Sequence, residues 1–297
     1  MWNLIHTAHF HIQFHSGLLA VPQPKRNFES APLFFCRRCL SQQGSGEGED
    51  DAVAVKRIVD LVFLVDVTGS MKPCIDGLKD SIDKFFAYLT NDSENECSIK
   101  EWRAKVVGYR DVKFDKDQWI VENPFVTTAD EVHAQLKGLV AKGGGDEPES
   151  LLDALMVVAN MGETGIQDVE DPMKWRPHAQ AARAVVVFTD ATYHPEAALE
   201  KYEGCTYEDI ARKIAEQRII LEIITPVNPS DKSVRHEDFE DCYRNLAMAQ
   251  GAEYCPLVTE QGEELSFNDI PTHTSLFVRF MEQLAKTVSK SIEPPEL

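Results

Sequence analysis

Two carboxylates and two hydroxyls stand at spacings that suit a hard divalent cation. In the run Asp66-Val67-Thr68-Gly69-Ser70, three oxygen-bearing side chains alternate. In a tight turn they converge on one point, and Gly69 lets the backbone make that turn. Asp190, in Thr189-Asp190, brings a second carboxylate from far downstream. Mg²⁺ demands near-octahedral oxygen coordination and keeps some of its waters. This set leaves positions for water and for an oxygen from a partner. A third stretch, Gly143-Gly144-Gly145-Asp146-Glu147-Pro148-Glu149, offers Asp146 as a further ligand, with Glu149 as its rival. The plainer reading of the first run is a strand end followed by a helix cap, where Asp, Ser and Thr are favoured anyway. For the third stretch it is a glycine turn, with Asp146 capping a helix that starts near Ser150.

The elements that must position these residues begin at Val55. Ile58 to Val65 is a near-continuous apolar run, as expected of a central strand covered on both faces. Similar runs occupy Lys105 to Tyr109, Ala184 to Phe188, Ile219 to Ile224 and Tyr254 to Val258, and Trp119 to Val121 reads as a short edge strand. Helical stripes lie between them: Ile75, Leu78, Ile82, Phe85 and Leu89; Val132, Leu136 and Val140, opened by a capping box at Thr128 and Glu131; Leu151, Leu152, Leu155 and Ala159; Ile210 and Ile214, capped by Thr206; Phe239 to Ala249; and Leu276, Phe280, Leu284 and Val288. The predicted fold class is α/β, a doubly wound, mostly parallel sheet of about six strands with helices on both faces and one short antiparallel edge strand. Right-handed crossovers then bring all three polar loops to the carboxyl edge of the sheet, where such folds bind ligands. Residues 1–54 read as a disordered arm with an acidic linker, 55–292 as the folded domain and 293–297 as a tail. Gly162 to Ala182 reads as an exposed, proline-bearing loop.

With these motifs in place, Val62-Phe63-Leu64-Val65-Asp66-Val67-Thr68-Gly69-Ser70-Met71 resembles the first motif of the von Willebrand factor type A domain, and Thr189-Asp190 after an apolar strand resembles its third. The resemblance runs from about Val55 to Ser291. It implies a Rossmann-like fold and a metal-ion-dependent adhesion site, with Mg²⁺ (or Mn²⁺ or Ca²⁺) as the ion. Thr68 and Ser70 would be direct ligands, Asp66 and Asp190 would ligate or orient, and an acidic residue of a protein partner would complete the shell. Many members of the family carry a Thr in the second motif. Here Asp146 follows three glycines, as in a subset with Gly-Gly-Asp followed by Pro-Glu. A third carboxylate lowers the residual charge of the ion and weakens capture of an anionic partner, unless Asp146 stands behind the ligands, as Glu149 and Asp111 also would.

Composition narrows the alternatives. The chain has 297 residues, 43% hydrophobic and 27% charged, which is ordinary for a globular protein. The net charge of -19 repels phosphate backbones, so nucleic acid is not an expected partner. No apolar run reaches the ~20 residues of a membrane span, and the N-terminus lacks the form of a signal peptide. Seven cysteines, mostly widely spaced, argue for a reducing compartment, here the cytoplasm, with secretion the alternative. Cys36-x-x-Cys39 is half of a zinc-ribbon pattern and lacks its second pair.

Elsewhere the plainer readings prevail. Arg110-Asp111 reads as a surface ion pair, His194 as an ordinary loop histidine and Cys74 as a buried structural thiol. The expected activity is an intracellular scaffold or adaptor that binds protein through a metal, with no catalysis. A phosphotransferase or hydrolase using Asp66 is the rival, but position 68 is Thr where such enzymes carry a second acid. An extracellular adhesin is the third reading. Oligomeric state is not legible.

Overall fold

The computed structural model describes residues 57–91, 99–144, 147–249, 256–258 and 264–291. The expected arm, the Cys36–Cys39 pair, Asp146 and the tail lie outside the described residues.

β1 (Ile58–Asp66) is buried at every position after its first, and it lies mid-sheet. α1 (Lys72–Leu89) follows it, and β2 (Glu101–Tyr109) pairs with β1 in parallel. After the short α2 (Val112–Asp115), β3 (Ile120–Glu122) turns back antiparallel to β2. Then come α3 (Ala129–Gly138), α4 (Leu151–Ala159), β4 (Ala182–Phe188), α5 (Tyr207–Glu216), β5 (Ile219–Ile224), α6 (His236–Met248) and α7 (Thr274–Ser291). β4 lies parallel to β1 on its other side, and β5 lies parallel to β4. The five-stranded order is β3-β2-β1-β4-β5. The doubly wound α/β fold and its antiparallel edge strand are thus as expected. The anticipated sixth strand is described only at residues 256–258, of which Leu257 and Val258 make isolated bridges to Pro226 and Glu264.

Strand alternation sorts the core into two layers. Val59, Leu61, Phe63 and Val65 face α1, α3 and α7, while Val62 and Leu64 face α4, α5 and α6. Each such side chain contributes about 1.5–3 kcal/mol on burial. Both expected caps form: the Thr128 hydroxyl accepts from the Glu131 amide, and Thr206 makes a full capping box with Asp209.

The loop over residues 162–181 departs from the expected exposed segment. Trp175 is fully buried and its indole N–H donates to the Val158 carbonyl at 3.1 Å. Arg176 reaches Asp60 at 2.7 Å, and Arg103 grips the same carboxylate at 2.8 Å. A buried carboxylate needs such partners. Asp60 therefore pins the loop to the end of the sheet opposite Asp66.

Candidate metal centre

Parallel register brings the polar loops together. Asp66 ends β1 beside Tyr109, the last residue of β2, and Val65 pairs with Phe188, which puts Thr189 and Asp190 just beyond β4 at the same edge. The 139–144 segment is laced to the first loop: the Lys142 amide donates to Val67 O at 3.0 Å and the Gly69 amide to Gly143 O at 3.3 Å. Gly143 and Gly144 hold φ of 77° and 74°, a region that favours glycine. A Cβ at Gly144 would lie 2.9 Å from Thr68 Cβ and 3.1 Å from Glu149 Oε1. Only a glycine lets the second motif approach the first this closely.

Four of the five predicted ligands, all but Asp146, form one chain of contacts. Asp66 Oδ1 accepts from the Thr68 amide at 2.9 Å and from its hydroxyl at 2.8 Å. The Thr68 and Ser70 hydroxyls stand 3.5 Å apart. Ser70 Oγ donates to Asp190 Oδ1 at 3.0 Å. Thr189 closes the group from below, its hydroxyl donating to Asp66 Oδ2 at 3.0 Å. Asp66, Thr68 and Asp190 are buried and Ser70 is half-buried.

Burial acts on both carboxylates of the cluster. Burial pushes the Asp66 carboxyl up to about 6 against the pull of its hydrogen bonds. Burial, then the charge of Asp66, pushes Asp190 up to about 7. Among the described residues neither carboxylate is in an ion pair. Arg110 acts on Asp66 only at a distance, because its guanidinium is spent on the carbonyls of Val140, Lys142 and Gln118 at 2.7–2.9 Å. Among the described residues, no three His, Cys, Asp or Glu side chains converge as a metal-holding group. The fit to a cation therefore rests on hydroxyls together with carboxylates. Two under-neutralised carboxylates and two hydroxyls are the hard oxygen donors that Mg²⁺ takes.

The remaining predicted residues divide. Glu149 is buried with its carboxylate against Gly144, and its backbone is stitched to Thr192 and His194 of the third loop. Asp111 stands in a separate buried network, accepting from the Lys113 amide at 2.7 Å and Ser150 Oγ at 3.1 Å, with His194 Nε2 at 3.0 Å. The expected Arg110–Asp111 surface pair is thus corrected: both side chains are buried and each serves loop backbone or a neighbouring side chain instead of the other. His194 is likewise buried, bonded to Asp111 and Lys113. Cys74 is fully buried, as expected.

Sequence reasoning did not single out Thr189, Tyr109 or Glu147 as parts of the site. Glu147 receives the Thr192 amide and its charge reaches Asp190. The Thr before Asp190 and the acid after Asp146 were visible, but their roles depend on loop contacts. Beside Asp190 opens a polar cleft of about 450 Å³, lined in part by Asn228, Ser230, Lys232, His236 and Asn268.

Residues 55–234 match the sequence family described as Mediator complex subunit 25 von Willebrand factor type A. No curated protein matches the chain in sequence. Among solved structures, the pilus adhesin SpaC from Lactobacillus rhamnosus GG is similar at 11% identity and a TM-score of 0.51, over 79% of this chain and 31% of that one. Its open conformation gives 10% identity, 0.51, 79% and 30%. A von Willebrand factor type A structure from Catenulispora acidiphila gives 11% identity, 0.46, 77% and 42%. The chain thus spans less than a third of the adhesin, and the likeness to the adhesin bears on fold alone.

Proposed function

Because the chain belongs to the Mediator complex subunit 25 von Willebrand factor type A family, we propose that it is a protein-binding module that grips its partner through a divalent cation, as a scaffold or adaptor within a Mediator-type assembly. The observation that carries this reading is the Ser70–Asp190 hydrogen bond of 3.0 Å, which ties the first and third loops into one oxygen cluster. Thr68 and Ser70 would ligate through their hydroxyls. Asp66 and Asp190 would ligate or hold ligand waters, and Glu149, whose carboxylate lies against Gly144 of the second motif, would orient a water from behind. Asp146 joins either as a ligand or from behind. When bound, Mg²⁺ (or Mn²⁺ or Ca²⁺) supplies a Lewis-acidic centre for a carboxylate of the partner. The cleft beside Asp190, with Lys232 on its wall, gives an acidic side chain a way in.

Binding is a better reading than catalysis. Asp66 is occupied by Thr68 and Thr189 on both carboxylate oxygens, and position 68 holds a hydroxyl where a phosphotransferase would need its second acid. Membership of a Mediator subunit family supports a nuclear compartment rather than the cytoplasmic one expected from the cysteines. Among the described residues no helix is long and apolar enough to cross a membrane.

The test is co-purification of the tagged chain with Mediator subunits, in Mg²⁺ and in chelator, for wild type and Ser70→Ala. Recovery that needs both the ion and Ser70 supports the reading. Recovery indifferent to both overturns it.

A further inference from the structure

Tyr109 ends β2 in register with Asp66 of β1. Residues paired across neighbouring strands face the same side of a sheet, so phenol and carboxylate share a face. The Tyr109 side chain is fully buried among the apolar residues of the α4–α5–α6 layer. Among the described residues its hydroxyl has no hydrogen-bond partner. The charges that reach it are those of Asp66, Glu149 and Asp190, the carboxylates around the candidate metal centre. Thr189 is close as well, but its proton goes to Asp66 and no hydrogen bond of normal geometry joins it to the phenol.

Two other buried tyrosines of the same layer show what a structural phenol does. Tyr243 donates to the Ala191 carbonyl, and Tyr193 donates to the Cys242 carbonyl at 2.8 Å. Each is anchored on backbone. A buried phenol that neither donates nor accepts a hydrogen bond is costly, and packing alone would be served as well by phenylalanine. A cation held by Asp66 and Asp190 keeps some of its waters. Such a water is a strong donor, and the phenol oxygen is an acceptor with both lone pairs open.

We propose that Tyr109 is a positioning residue of the cation site, its hydroxyl receiving a hydrogen bond from a water of the ion's shell on the side facing Asp66 and Glu149. This rests on the cation reading given above. Tyr109 acts through the water and does not touch the ion. It sets how firmly that water, and through it the ion, is held against the floor of the site.

The experiment is MgCl₂ titration by calorimetry of the whole chain, wild type against Tyr109→Phe, with thermal unfolding of both in chelator. The two readouts should move in opposite senses. Without metal, the variant should melt at or above wild type, because an unpartnered buried hydroxyl is gone. Its Mg²⁺ affinity should fall about tenfold, as on loss of a group that supports metal ligands. Equal affinities overturn this inference and leave the metal reading standing. So does a metal-free variant that melts well below wild type, which would mean the hydroxyl serves the protein itself. No Mg²⁺ binding by wild type overturns both.

Discussion

Ser70 donates a 3.0 Å hydrogen bond to Asp190, a residue 120 positions away in the chain. The bond exists because β1 and β4 are adjacent parallel strands whose ends fall level, Val65 against Phe188. Sheet register therefore builds the oxygen cluster from the protein alone, its ordering supplied by the core below. The consequences can be measured one at a time.

The apo domain should lose stability as pH rises. Burial raises Asp66 to about 6 and Asp190 to about 7, against 3.8 for the free side chain. Between those values the folded state binds more protons than the unfolded one, so stability falls with rising pH. The loss should be on the order of 4 kcal/mol from pH 5 to 8. Asp190→Asn should flatten the slope, and Mg²⁺ should stabilise wild type more at pH 8 than at pH 5. Urea unfolding across this range checks it; a rising or flat metal-free profile would contradict it.

Gly144→Ala should cost about 2 kcal/mol or more. The new Cβ meets a φ of 74° and the Thr68 side chain at 2.9 Å. Because the collision falls on Thr68, Mg²⁺ affinity should drop along with the unfolding midpoint. Gly138→Ala, with nothing within 4 Å of its Cβ, is the control and should leave affinity unchanged.

Arg110→Lys should weaken the 139–144 segment. A lysine cannot reach the Val140, Lys142 and Gln118 carbonyls at once as the guanidinium does. Expected are a stability loss of about 2 kcal/mol and faster amide exchange at Lys142 and Gly69. Unchanged exchange would show that the guanidinium does not brace the loop.

Asp60→Asn separates fold from site. It strips the charge from a buried carboxylate gripped by Arg103 and Arg176 at the far end of the sheet. Losing one partner of such a cluster typically costs about 3–5 kcal/mol. Mg²⁺ affinity of the folded fraction should nonetheless match wild type. A parallel loss of affinity would mean the two ends of the sheet are coupled.

Much of this was legible because it follows from periodicity. The apolar run Ile58–Val65 announces a central strand, and a strand that ends in Asp-x-Thr-x-Ser has its polar residues at the carboxyl edge. Asp190 could be matched to them since Phe188 ends a similar run. What stayed hidden depends on burial of polar groups, which residue type does not betray. Arg110-Asp111 looks the same as a dipeptide whether solvated or enclosed. Trp175-Arg176 lies in a polar stretch, and only the buried charge of Asp60 explains why that stretch is held. Tyr109 closes the apolar run from Lys105, and nothing in its type shows where its hydroxyl points.

The most direct measurement is calorimetric titration of Mg²⁺ into the metal-free chain at pH 8, wild type beside Ser70→Ala. The account predicts one ion bound by wild type and binding at least about tenfold weaker in the variant, from loss of a ligand hydroxyl. A wild type that takes up no ion at millimolar Mg²⁺, or a variant that binds equally well, would contradict it.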